Sequence, residues 1–263
     1  MKDLSERQRR ELEFYEEFSK RNPRSGVSFA SISGKTRKSW NSYWHVMEIA
    51  KQNFTSEDQK LLDFGCGCGE SSIIFTRIGY EVFGFDISPN NIETARRLAV
   101  KYEMTERAHF QVGVAEELDY PDEFFDAIIG TDILHHVDIP RALSECSRVL
   151  KPGGVAIFHE PVRVALFDDL RESRFGRWLV PKEVSIERHI TEDERKLTAQ
   201  DLEFIKSFGS DSSIQHFLLF SRLDRFIRFS KTSSFLEKID FHLLKPFPFL
   251  RPFGGVVIIV VRK

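Results

Sequence analysis

The stretch Leu61-Leu62-Asp63-Phe64-Gly65-Cys66-Gly67-Cys68-Gly69-Glu70 limits the fold more than any other part of this sequence. An apolar run leads in, alternate glycines follow, and Ser71-Ser72-Ile73-Ile74-Phe75 opens a helical pattern. That is a strand entering a tight turn and leaving as a helix. Glycine takes positive φ at little cost and leaves no Cβ in a ligand's way. The first N–H groups of the helix point out at such a turn. The spacing excludes two common loops. Gly65 and Gly67 fit the first and third places of a G-x-G-x-x-G fingerprint, but Glu70 stands at the sixth and the last glycine falls at Gly69. No Gly-Lys-Ser/Thr ending makes a P-loop. Taken alone, the turn also fits a plain connection with no ligand.

Around it the chain alternates strands and helices. Leu61 to Phe64 reads as a first strand and Ser71 to Ile78 as a helix; Glu81 to Phe85 is a second strand ending at Asp86. Ser88 and Pro89, an N-cap and a first-turn proline, open a helix that runs to Tyr102. His109 to Val112 and Phe125 to Gly130 are further strands, the latter apolar enough for burial on both faces. Ile139 to Leu150 is a helix stopped at Lys151-Pro152-Gly153-Gly154, and Val155 to His159 is a fifth strand. Thr198 starts a helix that ends near Gly209; Ile214 to Ser221 and Gly255 to Val261 are the sixth and seventh strands. This order predicts an α/β fold with a doubly wound, mostly parallel seven-stranded sheet and a C-terminal antiparallel strand.

The flanks read differently. Leu4 to Lys20 is a helix with Leu12, Tyr15 and Phe18 on one side, Asn22 to Lys38 is a loop, and Ser39 to Ala50 carries an aromatic stripe of Trp40, Tyr43 and Trp44 with Met47. The stripe fits either core packing or a lid. Phe167 to Lys196 is charged and irregular. The expected organisation is an N-terminal helical cap (residues 1–55), a central domain (56–222 with 254–263) and a Phe/Arg-rich helical insertion (223–253).

A net charge of -2 supplies no general attraction for nucleic acid. Cys66, Cys68 and Cys146 form neither a disulfide framework nor a zinc spacing, and histidines and acids are too scattered for a metal site, so none is expected. The polar start, Met1 to Arg10, does not fit a secretory signal, and a cytoplasmic location is the expectation.

In open α/β sheets, ligands bind beyond the carboxyl ends of the strands, where the strand order switches. The residues there are the glycine turn, then Asp86, Val114-Ala115-Glu116, Thr131-Asp132-Ile133-Leu134-His135-His136, and His159-Glu160-Pro161. A carboxylate at Asp86, about twenty residues past the glycines, is placed to accept ribose hydroxyls.

These residues resemble class I S-adenosylmethionine-dependent methyltransferases. The resemblance rests on Asp63-Phe64-Gly65-Cys66-Gly67-Cys68-Gly69, Phe85-Asp86-Ile87-Ser88-Pro89, Phe125-Asp126-Ala127-Ile128-Ile129, Leu134-His135-His136-Val137 and Leu150-Lys151-Pro152-Gly153-Gly154, in that order over about residues 55 to 160. It implies S-adenosyl-L-methionine as cofactor. Asp63 and Gly65, Cys66, Gly67 and Gly69 would hold its amino-acid part, Asp86 the ribose, Ile87 the adenine, and the backbone of Gly130 and Thr131 the methionine portion. The family commonly has an acid before the alanine of the third loop. Here Val114 stands there, leaving Ala115 through its backbone and Glu116 through its carboxylate as the adenine contacts.

Methyl transfer from a sulfonium gains much from holding donor and acceptor in line. A base is needed only where the acceptor loses a proton. His135 and His136 suit that role near neutral pH, and equally suit capping or packing. His159 and Glu160 are second candidates, and His189 in the charged segment a remote one. No Asn/Asp-Pro-Pro-aromatic motif follows the fourth strand, so a nucleic-acid amine is not the acceptor expected. Cys146 lies in a helix away from the strand ends, and no Gly-x-Ser-x-Gly elbow is present.

The acceptor expected is a small or lipid-like molecule, methylated at oxygen. The alternatives are a non-catalytic protein that binds the cofactor or its product, and a nicotinamide-dependent oxidoreductase, which Glu70 disfavours. Of 25 phenylalanines, many cluster near the C-terminus. From Arg222 to Phe253 they interleave with Arg and Lys, which suits transient contact with a membrane surface or an amphiphile, or a helical cap whose aromatics pack on the sheet. The sequence leaves the oligomeric state open.

Overall fold

The computed structural model describes residues 4–33, 38–164, 168, 195–221 and 232–263. The elements in order are α1 (Glu6–Arg21), α2 (Ala30–Ser33), α3 (Ser42–Asn53), β1 (Lys60–Phe64), α4 (Glu70–Ile78), β2 (Glu81–Asp86), α5 (Pro89–Lys101), β3 (Ala108–Val112) and β4 (Phe125–Thr131). A 3₁₀ turn (Leu134–His136), α6 (Ile139–Val149), β5 (Leu150–Pro161), α7 (Ala199–Lys206), β6 (Asp211–Phe217), α8 (Thr232–Leu244), a second 3₁₀ turn (Pro248–Phe253) and β7 (Val256–Arg262) follow. The sheet has seven strands in the order β3-β2-β1-β4-β5-β7-β6. β7 pairs antiparallel with both β5 and β6, and the other pairings are parallel. This is the fold expected, and the strand order reverses between β1 and β4.

Alternation along each strand builds a layer on both faces. Leu62, Phe64, Ile128 and Phe158 pack under α6 with Leu143 and Cys146. Leu61, Ile129, Ile157 and Ile258 face the other way, toward Val46, Met47 and Ala50 of α3. Cys66 joins a third cluster with Ile92 and Ala95 of α5, so both buried cysteines are packing residues.

The differences from expectation are local. β5 starts at Leu150, which already pairs with Phe125; the register then shifts, pairing resumes at Val155 with Ala127, and Gly153 and Gly154 in between exchange hydrogen bonds with Lys263 at the end of the chain described. β6 stops at Phe217: Leu218 turns at φ +58, and the N–H groups of Leu219, Phe220 and Ser221 donate to the Asp240 carboxylate instead of a neighbouring strand. The loop expected from Asn22 to Lys38 includes the short α2. His189 with most of the charged segment (165–167 and 169–194), and residues 222–231 at the start of the expected insertion, lie outside the described residues. Among those described, no helix is long and apolar enough to cross a membrane.

Candidate active site

The loops after β1, β2, β3 and β4 enclose a cavity of about 210 Å³. Its floor is Gly65, Gly67, Asp86 and Ile87; its walls include Ala115, Glu116, Thr131, Asp132 and Ile133. A second cavity of about 200 Å³ shares Phe85, Ile87, Gly113 and Val114 with it. Gly69 and the buried Cys66 and Gly130 are not in the lining, and neither is Asp63.

Asp86 is aimed from three sides. Gly67 N–H donates to its Oδ2 at 3.0 Å, and Ser88 N–H and Asn91 Nδ2 donate to Oδ1 at 2.9 and 3.1 Å. A carboxylate offers about four acceptor sites, so one remains at Oδ2. Burial raises the Asp86 pKa above the ordinary carboxylate range, which its hydrogen bonds only partly offset. Asp63 lies beneath the loop at the end of β1, where it accepts a hydrogen bond from Ser72 Oγ. Burial pushes its pKa up to about 7.

The cavity is roofed by α1, through Gln8, Glu11 and Tyr15. The roof is fastened along its length. Gln8 Nε2 donates to Glu116 Oε2 at 3.0 Å, while Glu116 Oε1 accepts from Asp138 N–H at 2.9 Å. Glu16 Oε1 accepts from Ser88 Oγ and Asn90 N–H, at 2.6 and 3.0 Å, across the positive end of α5. Between these, His136 Nδ1 lies 3.2 Å from Glu11 Oε2 and His136 Nε2 lies 3.0 Å from the Tyr15 hydroxyl. Sequence reasoning placed Tyr15 on the apolar side of α1 but missed its part in the cavity. The signal available was Glu11, an acid on the same helical side as Tyr15 and Phe18.

The two adjacent histidines separate. His136 faces the cavity, whereas His135 does not line it and pairs its Nδ1 with Glu160 Oε2 at 2.6 Å. Glu160 is fully buried, and its Oε1 accepts from Ile133 and Leu134 N–H at 2.9 and 2.7 Å. It braces the turn after β4 and is absent from the cavity lining.

A further network stands beside the cavity. Asp132, at φ +53, accepts from the Tyr43 hydroxyl at 2.7 Å and lies 3.2 Å from His159 Nδ1, and His159 Nε2 meets Ser42 Oγ at 2.9 Å. The Tyr43 ring stacks on His159 at 4.3 Å. Burial raises the Asp132 pKa, but the His159 and Tyr43 hydrogen bonds and nearby histidines outweigh it, and the net shift is downward. The aromatic stripe of α3 thus divides. Met47 is in the core, Tyr43 reaches the site, and the roof belongs to α1.

Residues 62–158 match the family described as a methyltransferase domain. A ubiquinone biosynthesis O-methyltransferase of Bradyrhizobium sp. (strain ORS 278) is 38% identical over 99 residues, 37% of this chain and 38% of that enzyme. A 27-O-demethylrifamycin SV methyltransferase of Amycolatopsis mediterranei (strain S699) is 39% identical over 97 residues, 36% of each chain. The chain thus spans under two-fifths of the length of these curated relatives. The solved structure of geranyl diphosphate C-methyltransferase from Streptomyces coelicolor A3(2) superposes over 99% of both chains with a TM-score of 0.61 at 14% identity, a likeness of fold. Residues 62–158 thus match a methyltransferase domain, and the sheet order around the glycine cleft is the doubly wound arrangement expected of one.

Proposed function

We propose that this chain is an S-adenosylmethionine-dependent methyltransferase whose acceptor is a small or lipid-like molecule, methylated at oxygen. The observation that carries the reading is the Asp86 carboxylate, fixed by Gly67 N–H at the floor of a cleft in a methyltransferase domain. The cleft fits the cofactor by its own features: a methyl built at Gly67 meets no atom within 4 Å, and Asp86 Oδ2 retains an acceptor site. Bound there, the cofactor supplies an electrophilic methyl on a sulfonium. Gly65 and Gly67 would let the amino-acid part lie on the backbone, with Asp63 and Cys66 holding the loop from behind. Asp86 would accept the ribose hydroxyls, Ile87 would flank the adenine, and Ala115 and Glu116 would close that end. Gly130 and Thr131 would pass beside the methionine portion.

Among the candidate bases, the geometry favours His136 over His135 and Glu160, because it alone lines the cavity. Glu11 beside Nδ1 favours the tautomer with its proton there, which leaves Nε2 to accept from Tyr15. Tyr15 then hands a proton to His136 as its oxygen takes one from the acceptor. Residues 1–55 serve as the cap, 56–222 with 254–263 as the catalytic unit, and 223–253 as a separate insertion.

A second reading, binding without transfer, draws support from His136 Nε2 being already engaged by the Tyr15 hydroxyl. Calorimetry with S-adenosylmethionine and with NAD, followed by an acceptor panel scored by S-adenosylhomocysteine release, separates the cases. Binding of S-adenosylmethionine alone with turnover of an alcohol or phenol supports the proposal. Binding without release from any acceptor supports the second reading, and binding of neither nucleotide overturns both.

A further inference from the structure

The insertion carries a surface that the cavity chemistry leaves unused. Phe235 is 61% exposed, Phe247 44% and Phe249 69%. The Phe247 and Phe249 rings lie 5.9 Å apart on the turn after α8, with Pro246 and Pro248 on either side of Phe247. Arg251 ties that turn to the helix end by donating to Leu244 O and Lys245 O, at 3.1 and 3.0 Å. Along α8, Phe235, Lys238, His242 and Lys245 share one exposed face, and the buried Asp240 and Leu244 mark the other. The acids of this described stretch are turned elsewhere. Asp240 binds the N–H groups of Leu219, Phe220 and Ser221, and Glu237 accepts from Asn41 Nδ2 at 3.3 Å. The exposed face therefore keeps lysine charge among exposed aromatics.

Its position relates it to the cavity. Pro161 pairs with Val256 and Val256 with Phe217, so β7 begins at the same sheet edge as the ends of β5 and β6. The parallel β4–β5 register puts Thr131 of the cavity wall beside His159 near that edge. α3 links the two. Lys238 Nζ lies over the Trp40 ring at 5.4 Å and Asn41 meets Glu237, while the next residues, Ser42 and Tyr43, reach His159 and Asp132.

We propose that this face docks on an anionic lipid bilayer, with Phe235, Phe247 and Phe249 entering the headgroup boundary and Lys238 and Lys245 meeting the acidic headgroups. The rings stand on a helix and a projecting turn. A stable protein interface needs about 800 Å² per partner with shape complementarity. A bilayer gains from each exposed ring separately, and the lysines match its charge. The docking holds whether or not methyl transfer does. If the proposed function stands, it brings an amphiphilic acceptor to the edge where the cavity lies.

The test is flotation of the full chain with phosphatidylcholine vesicles, and with the same vesicles holding a minority of phosphatidylglycerol. The chain is expected to float with the anionic vesicles and to be released by added salt. Combining Phe247→Ser with Phe249→Ser, or Lys238→Glu with Lys245→Glu, should each weaken binding about tenfold or more. Melting by circular dichroism checks that each variant folds. A Phe249→Trp variant should shift its emission to the blue on anionic vesicles alone. The proposal is overturned if the chain stays in buffer with both vesicles, floats equally with the neutral ones, or floats unchanged after the paired Phe substitutions. A change in the free chain's sedimentation on those substitutions, without vesicle binding, assigns the face to a protein contact and also overturns it.

Discussion

Gly67 and Gly69 are two residues apart and both take positive φ, +51 and +79, yet a methyl on each should do opposite things. At Gly67 an added Cβ meets nothing within 4 Å and stands in a loop that lines the cavity. The cost to the fold is the left-handed backbone alone, about 1–2 kcal/mol. For a chain of this size that lowers Tm by only a few degrees, at about 2–4 °C per kcal/mol. The methyl occupies ligand space, where misfit costs about 1–3 kcal/mol, or roughly 5- to 150-fold in Kd. At Gly69 the Cβ falls 2.6 Å from Ala95 Cβ, 3.0 Å from Ala95 Cα and 3.3 Å from the Phe110 ring. Backbone of α5 cannot give way as a side-chain tip can. Gly69→Ala should carry the same backbone cost plus overpacking, about 2–5 kcal/mol in all, and drop Tm by about 10 °C. Differential scanning fluorimetry and calorimetry with S-adenosylmethionine on both variants read the two effects separately. Parental affinity in Gly67→Ala would refute the cradle. Equal melting losses would refute the division of labour between the two glycines.

Asp63 carries a pH signature. Its folded pKa, about 7, lies above the 3.8 of a solvated aspartate, so its contribution to stability is whole below pH 3.8 and is lost as pH rises through 7. That loss is about 4 kcal/mol at most. Asp63→Asn keeps an acceptor for Ser72 and removes the loss, so in urea melts its advantage over the parent should grow from pH 5 to pH 8; a constant difference would deny the shift. Tyr15→Phe should leave S-adenosylmethionine affinity within about twofold while slowing transfer to an identified acceptor about 10- to 100-fold, measured as S-adenosylhomocysteine release; unchanged turnover removes the relay. Glu160→Leu orphans the Ile133 and Leu134 N–H groups and should cost about 2–4 kcal/mol in denaturant melts. A loss below about 1 kcal/mol would mean that the turn after β4 holds without its brace.

What the sequence made legible follows from how each part is encoded. The glycine loop and Asp86 are local. The residues that shape the turn, end the strand and cap α5 sit within a few positions of one another, and the parallel strands show as apolar runs because both their faces are covered. The roof is not local. Tyr15 and His136 are 121 positions apart, and no spacing rule joins a helix near the start of the chain to a turn after the fourth strand. The errors at β5 and β6 have the same origin, since pairing along β7 and the grip of Asp240 on three N–H groups decide those ends from a distance. His135, His136 and Glu160 show the limit most sharply. All follow strand ends, where chemistry is expected, and all can take or give a proton. Burial and partner separate them. Glu160, at 0% exposure with donors already on both oxygens, acts on the turn that presents His136. A strand-end position therefore marks a residue as near the site, and only its hydrogen-bond partners decide whether it faces the ligand or holds the residue that does.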